Sequence, residues 1–168
     1  MYSPKPLLLD SYHHIVILTG AGVSVGSGLP TYRGPGGLWE REDIAWIVEA
    51  RSLPGSLPDL WRLYSQRRRH ALNTLPNPAH TAVAALQRAR PGAVTLLTQN
   101  VDGLHQRAGS LDVTELHGSA FHTRCTNPNC GLPPFADERL RVGRHVQRHI
   151  RPQQIDASVR QTIESGGA

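Results

Sequence analysis

Residues 20 to 28, Gly-Ala-Gly-Val-Ser-Val-Gly-Ser-Gly, carry almost no side-chain bulk. Such a loop lets the backbone approach a ligand closely and leaves N–H groups facing phosphate oxygens at the start of a helix. A tight strand-to-helix turn that binds nothing is the plainer reading of the same glycines. After Gly20 and Gly22, the third glycine of G-x-G-x-x-G would fall at Val25, so the dinucleotide fingerprint is met only in part. No G-x-x-x-x-G-K-[ST] phosphate loop is present. Three other groups have chemical potential but plain alternatives. Gln99, Asn100 and Asp102 form an amide- and carboxylate-rich turn, and His117 is an imidazole that by itself serves structure as readily as proton transfer. Tyr64 and Arg67, three apart in a helical pattern, project from one side and read alone as part of a solvated, arginine-rich face.

These residues need elements to hold them. Ile15 to Leu18 is a run of four aliphatic residues, which predicts a parallel strand buried on both faces. Pro35, Gly36 and Gly37 read as a hinge, followed by a short helix over 42–50, with Trp39 and Trp46 as packing residues. The next helix spans 58–72, with Leu60, Leu63 and Tyr64 on one face. Asn77 caps a helix whose first residue is Pro78 and whose inner side carries Val83 and Leu86, and Pro91-Gly92 ends it. A second strand over 93–98 follows, and 111–116 is extended. Strand, helical crossover and strand predict an α/β fold with a partial, doubly wound, Rossmann-like parallel sheet, whose ligands bind beyond the carboxyl ends of the strands.

Composition narrows the function classes. The 168 residues allow one domain, or one domain with a small module. No run of eighteen apolar residues and no secretion-type leader is present, which predicts a cytoplasmic protein without a membrane partner. The net charge of +5 comes from 17 Arg and a single Lys, with no dense run beyond Arg67 to Arg69, which argues against nucleic acid. Cys125 and Cys130, within Arg-Cys-Thr-Asn-Pro-Asn-Cys, favour metal over a disulfide in such a chain.

Several stretches together resemble the sirtuins, the NAD-dependent protein deacylases. Gly20-Ala21-Gly22-Val23-Ser24, Ser27-Gly28-Leu29-Pro30 and Tyr32-Arg33-Gly34 match the first sirtuin motif. Thr98-Gln99-Asn100-Val101-Asp102-Gly103-Leu104-His105 matches the second, and Leu116-His117-Gly118 the third. The resemblance implies NAD as cofactor, with Gly20 in the cofactor-binding loop and the diphosphate at Ala21 and Gly22. It puts Tyr32 and Arg33 on a mobile loop beside the nicotinamide ribose, and gives Gln99, Asn100 and Asp102 the ribose and carboxamide contacts. His117 becomes the catalytic base and His105 a scaffold residue, while His80 reads as structural from its place in the helix alone. The acyl group of an acyl-lysine protein would pass to ADP-ribose with release of nicotinamide. Sirtuins that prefer succinyl, malonyl or glutaryl lysine carry Tyr-x-x-Arg, which Tyr64-Ser65-Gln66-Arg67 supplies. A guanidinium can bind a carboxylate by two parallel hydrogen bonds, and a phenol adds a third donor.

The resemblance also implies a structural zinc, with Cys125 and Cys130 as the first of two cysteine pairs. The second pair is missing, and only His122, His145 and His149 stand near enough in sequence to replace it. Past Phe135 the expected motifs for the adenosine half of NAD are absent, and 137–168 holds six arginines and no aromatic residue. The resulting division is 1–118 as the N-terminal part of the catalytic domain, 119–136 as a partial zinc module, and 137–168 as a divergent tail. Truncation or a shifted reading frame is the expected cause. The alternative reading is a catalytically weak NAD or ADP-ribose binding module, and a third is a basic, partly disordered interaction protein.

Overall fold

The computed structural model describes residues 8–34, 37, 44, 47, 55–125, 127 and 129–139. They fall into two units: those up to 37 with 70–119, and those of 44–69 with 120–139.

The first unit is a parallel sheet with helices. Strand β1 (Ile15–Thr19) opens it, and helix α1 (Leu57–Leu72) enters it with its last residues. Helix α2 (Pro78–Ala89), strand β2 (Val94–Thr98), helix α3 (Leu104–Arg107) and strand β3 (Val113–Glu115) follow. The order is β1-β2-β3, with Ile15 to Thr19 paired to Val94 to Thr98, and Leu96 to Thr98 paired to Val113 to Glu115. All the strands therefore finish on one edge of the sheet.

The expectation that β1 is covered on both faces is not met. Ile15, Ile17 and Thr19 turn inward, but Val16 and Leu18 are 60% and 59% exposed. Strand side chains alternate between faces, and no layer covers this face of β1 among the described residues.

Helix α2 begins where its sequence dictates. The Asn77 side chain accepts from Ala79 N–H (2.9 Å), and the Asn77 N–H donates to His80 Nδ1 (3.2 Å), a capping box closed by histidine. Its buried positions are His80, Ala84 and Gln87, whereas Val83 and Leu86 are only half-buried. Gln87 tolerates burial because both ends of its amide are used: Nε2 donates to Leu111 O (2.7 Å) and Oε1 accepts from Leu111 N–H (3.1 Å). That pair fixes the entry to β3.

The second unit joins α1, as far as Arg69, to an antiparallel ribbon of β4 (His122–Thr123) and β5 (Phe135–Ala136). Here α1 turns Ser65 and Arg68 inward, and Leu60, Leu63 and Tyr64 are half-buried. The reading of the arginines as a solvated face thus fails at Arg68, which is 3% exposed. Of the helix expected over 42–50, Ile44 and Ile47 have helical backbone. Trp39, Trp46 and the proposed hinge residues Pro35 and Gly36 lie outside the described residues, as do His145, His149 and the rest of the tail from 140. No helix among the described residues is long and apolar enough to cross a membrane.

Candidate functional site

The carboxyl edge of the sheet gathers the residues singled out by sequence in the first unit. Gln99 N–H donates to Thr19 O (2.9 Å), and Leu116 N–H donates to Thr98 O (2.8 Å). The loops after β1, β2 and β3 are thus tied side by side. A Cβ at Gly20 would lie 4.0 Å from Gln99 Oε1, so the glycine loop and the polar turn are neighbours.

After Gly20 the chain forms a 3-10 helix, Ala21–Ser27, closed by Gly28 at φ 91°, a left-handed conformation that favours glycine. Asn77 Nδ2 donates to Val23 O (2.8 Å), stapling this loop to the start of α2. A Cβ on Gly26 would sit 3.2 Å from the same Nδ2, so glycine there permits the staple.

Ser24 is the hub of the polar interior and is 2% exposed. Its hydroxyl donates to Asp102 Oδ2 (2.8 Å) and accepts from Asn100 Nδ2 (3.1 Å). The other Asp102 oxygen accepts from the N–H of Leu104, the first residue of α3 (3.0 Å). Asn100 N–H donates to Thr98 Oγ1 (3.1 Å), as does the Thr19 hydroxyl (2.9 Å).

Two buried imidazoles support this hub. His80 accepts from Asn77 N–H at Nδ1, which leaves its proton on Nε2, 3.5 Å from Ser24 Oγ. The Thr19 hydroxyl donates to Thr98, so it accepts from His105 Nε2–H (3.0 Å). Burial holds both imidazoles below the ordinary histidine pKa of 6.5, with Asp102 opposing in each case and His80 adding to the depression of His105. The rings meet edge to face at 4.8 Å. His80 and His105 are therefore neutral scaffold groups.

His117 differs. It is exposed, and its Nδ1 lies 3.1 Å from Gln99 O. A carbonyl only accepts, so Nδ1 carries the proton and Nε2 keeps a lone pair, the form a general base requires.

Tyr32 and Arg33 lie in the bend that follows the glycine loop. Gly37, expected to be part of a hinge, is buried against this bend: its N–H donates to Gly34 O (2.7 Å), and a Cβ there would stand 2.8 Å from the carbonyls of Gly34 and Tyr32.

Two observations test whether NAD suits these residues. A Cβ on Gly22 would meet nothing within 4 Å, so open space fronts the loop. Asn100 Oδ1 is buried without a hydrogen-bond partner among the described residues, a state that costs about 1–3 kcal/mol until a donor arrives. A ligand amide or hydroxyl would satisfy it. The residues fit the cofactor.

Tyr64 and Arg67 belong to the second unit, one turn apart on α1 and both half-buried. Cys125 and Cys130 lie between β4 and β5. The Asn127 N–H and then the Cys130 thiol hold Cys125 below its ordinary pKa, against a smaller effect of burial. Among the described residues no group of three or more His, Cys, Asp or Glu side chains is placed to hold a metal ion.

Ser24 lies inside the first motif without a role of its own there, Gln87 has none, and the sequence places Gly37 in a hinge and Arg68 on a solvated face rather than in the buried positions they occupy. Only His80 offered a usable local signal, since its position three after Asn77 is that of a capping-box acceptor.

The family model of Sir2 matches residues 20–163, further than the motifs themselves reach. NAD-dependent protein deacylase 2 of Pyrobaculum aerophilum is 47% identical over 132 residues, covering 78% of this chain and 51% of that protein. The mitochondrial NAD-dependent protein deacylase sirtuin-5 of Danio rerio is 50% identical over 125 residues, covering 70% and 39%. A Sir2 homologue solved with NAD superposes with a TM-score of 0.64 at 41% identity, covering 76% of this chain and 48% of that one. Another, a variant in complex with 2'-O-acetyl ADP ribose, reaches 0.69 at 41% identity, covering 80% and 52%. The chain thus spans about half the length of the relatives it matches.

Proposed function

The chain belongs to the Sir2 family, and from that premise we propose that it carries the nicotinamide side and the acyl-lysine side of an NAD-dependent protein-lysine deacylase. The observation that carries this reading is the Nδ1 tether of His117 to Gln99 O, which leaves Nε2 as a base on the sheet edge shared with the glycine loop. NAD, when bound, supplies nicotinamide as leaving group and ADP-ribose as acyl acceptor. Gly20, Ala21 and Gly22 hold its diphosphate, and Tyr32 and Arg33 flank the ribose. Gln99, Asn100 and Asp102 orient the amide end, the Asn100 oxygen accepting from it. His117 Nε2 takes the proton from the hydroxyl that becomes acylated.

The same reading assigns Tyr64 and Arg67 to an acyl chain ending in a carboxylate, hence to desuccinylation and demalonylation of cytoplasmic acyl-lysine proteins. The segment 1–118 would supply the catalytic part, 119–136 a partial zinc module and 137–168 a divergent tail. Cys125 and Cys130 supply two thiolates, and a tetrahedral zinc site requires two further ligands. A second reading, a weak ADP-ribose binding module, draws support from the uncovered Val16 and Leu18 face of β1.

Mass spectrometry of succinyl- and acetyl-lysine peptides incubated with the chain and NAD separates the readings. Peptide deacylation with matched nicotinamide release, abolished by His117→Ala, supports the enzyme. ADP-ribose binding without turnover supports the module.

A further inference from the structure

We propose that Arg68 is the positioning residue of the acyl-carboxylate site: it fixes the roll of α1 about its axis and so aims Tyr64 and Arg67. The inference rests on the reading of Tyr64 and Arg67 as contacts for a carboxylate-ended acyl chain.

An exposed arginine run beside this pair would be ordinary, but Arg68 points inward and is used on every side. Nε donates to Ala120 O, Nη1 to Arg139 O (3.1 Å), and Nη2 to Thr123 Oγ1 (3.1 Å). The guanidinium lies 5.5 Å from the centre of the Trp61 ring and 3.7 Å from Asp137 Oδ2. Asp137, with a fully buried side chain, accepts from the Thr123 hydroxyl (3.1 Å) and from Arg139 N–H and Nε (3.2 and 2.6 Å). Its own N–H donates to Phe121 O (2.7 Å). These three acceptors sit on the β4–β5 ribbon or its flanks, and that ribbon is itself cross-tied by Asp137.

Helix geometry converts this anchor into an aim. Arg67 lies about 100° around the axis and ~1.5 Å along it from Arg68, and Tyr64 lies about one turn back. A roll of about 20° would carry a guanidinium held roughly 8 Å from the axis through about 3 Å. A planar, two-bond contact with a carboxylate does not survive a displacement of that size. An acetyl group makes no such contact, so its binding is indifferent to the roll.

The test is a double-mutant cycle read by fluorescence anisotropy of labelled succinyl-lysine and acetyl-lysine peptides. Arg68→Lys keeps a positive charge beside Asp137 but loses the planar fork, and Thr123→Val is a milder cut of the same anchor should the lysine variant melt early. We expect Arg67→Met to reduce the preference for the succinyl peptide about tenfold, and Arg68→Lys or Thr123→Val about threefold to fivefold. In the Arg67→Met background the anchor variants should change the ratio no further. An equal loss for both peptides, or an undiminished effect in that background, reduces Arg68 to a structural brace and overturns the inference alone. If Arg67→Met leaves the ratio unchanged, or the parent chain binds neither peptide, the carboxylate reading falls and takes this inference with it.

Discussion

Asn77 offers the sharpest separation of two roles within one side chain. Its Oδ1 caps α2, and its Nδ2 holds the glycine loop through Val23 O. Asn77→Ala removes both bonds. Losing the cap costs about 1 kcal/mol, and losing a neutral hydrogen bond costs about 1 kcal/mol. Asn77→Asp keeps an oxygen for the cap, favoured by the helix N-terminus, but replaces the donor facing Val23 O with an acceptor. For a chain of 168 residues each kcal/mol lowers the melting temperature by roughly 2–4 °C. The alanine variant should therefore melt about 4–8 °C below the parent, and the aspartate variant about half as far below. Both variants should lose affinity for ADP-ribose alike, because both release the loop. Thermal melting by circular dichroism and titration with ADP-ribose supply the two readouts. If the aspartate variant matched the parent in affinity, the staple would have no bearing on the ligand loop, and equal melting of the two variants would remove the cap from the account.

Two further outcomes follow from the same region. Because burial depresses the pKa of His80 and His105 below 6.5, the unfolded chain binds more protons than the native one as pH falls past that value, so stability drops through about 6.5 and levels off beneath the native values. Melting at about pH 7.5 and about pH 5.5 should show this loss, and His105→Gln should reduce it; an unchanged slope in that variant would exonerate the imidazole. Gly37→Ala would put a methyl carbon 2.8 Å from the carbonyls of Gly34 and Tyr32, so the bend carrying Tyr32 and Arg33 must shift. The expected result is ADP-ribose binding weakened by about an order of magnitude with an unchanged far-ultraviolet spectrum, and parent-like affinity would show that the bend does not touch the ligand.

Local signals carried much of the fold. The aliphatic run at Ile15 to Leu18, the Asn77-Pro78 start and the Pro91-Gly92 stop each encode their element within a few residues, and the structure begins and ends β1 and α2 there or within a residue. What resisted reading depends on distant partners. Gln87 is buried because Leu111, 24 residues away, uses both ends of its amide. Arg68 turns inward because Ala120, 52 residues on, accepts its proton. A helical pattern that ranks arginine as solvated cannot foresee such acceptors. At the carboxyl edge of the sheet, motif spacing located His117 and the polar turn, but the Ser24 hub emerged only with coordinates, since its partners come from separate loops.

The ring of His117 takes its tautomer from a main-chain oxygen rather than from a neighbouring carboxylate. The Nδ1 proton is consequently held by the backbone just past the end of β2, and no side chain has to be retained to preserve that tautomer. Position 99 can exchange its amide for other groups while the ring keeps this tautomer, because a main-chain carbonyl is common to every residue type. On the roles proposed for Gln99 and His117, ligand preference and chemical competence are thereby free to evolve on separate schedules, although they meet at a single residue.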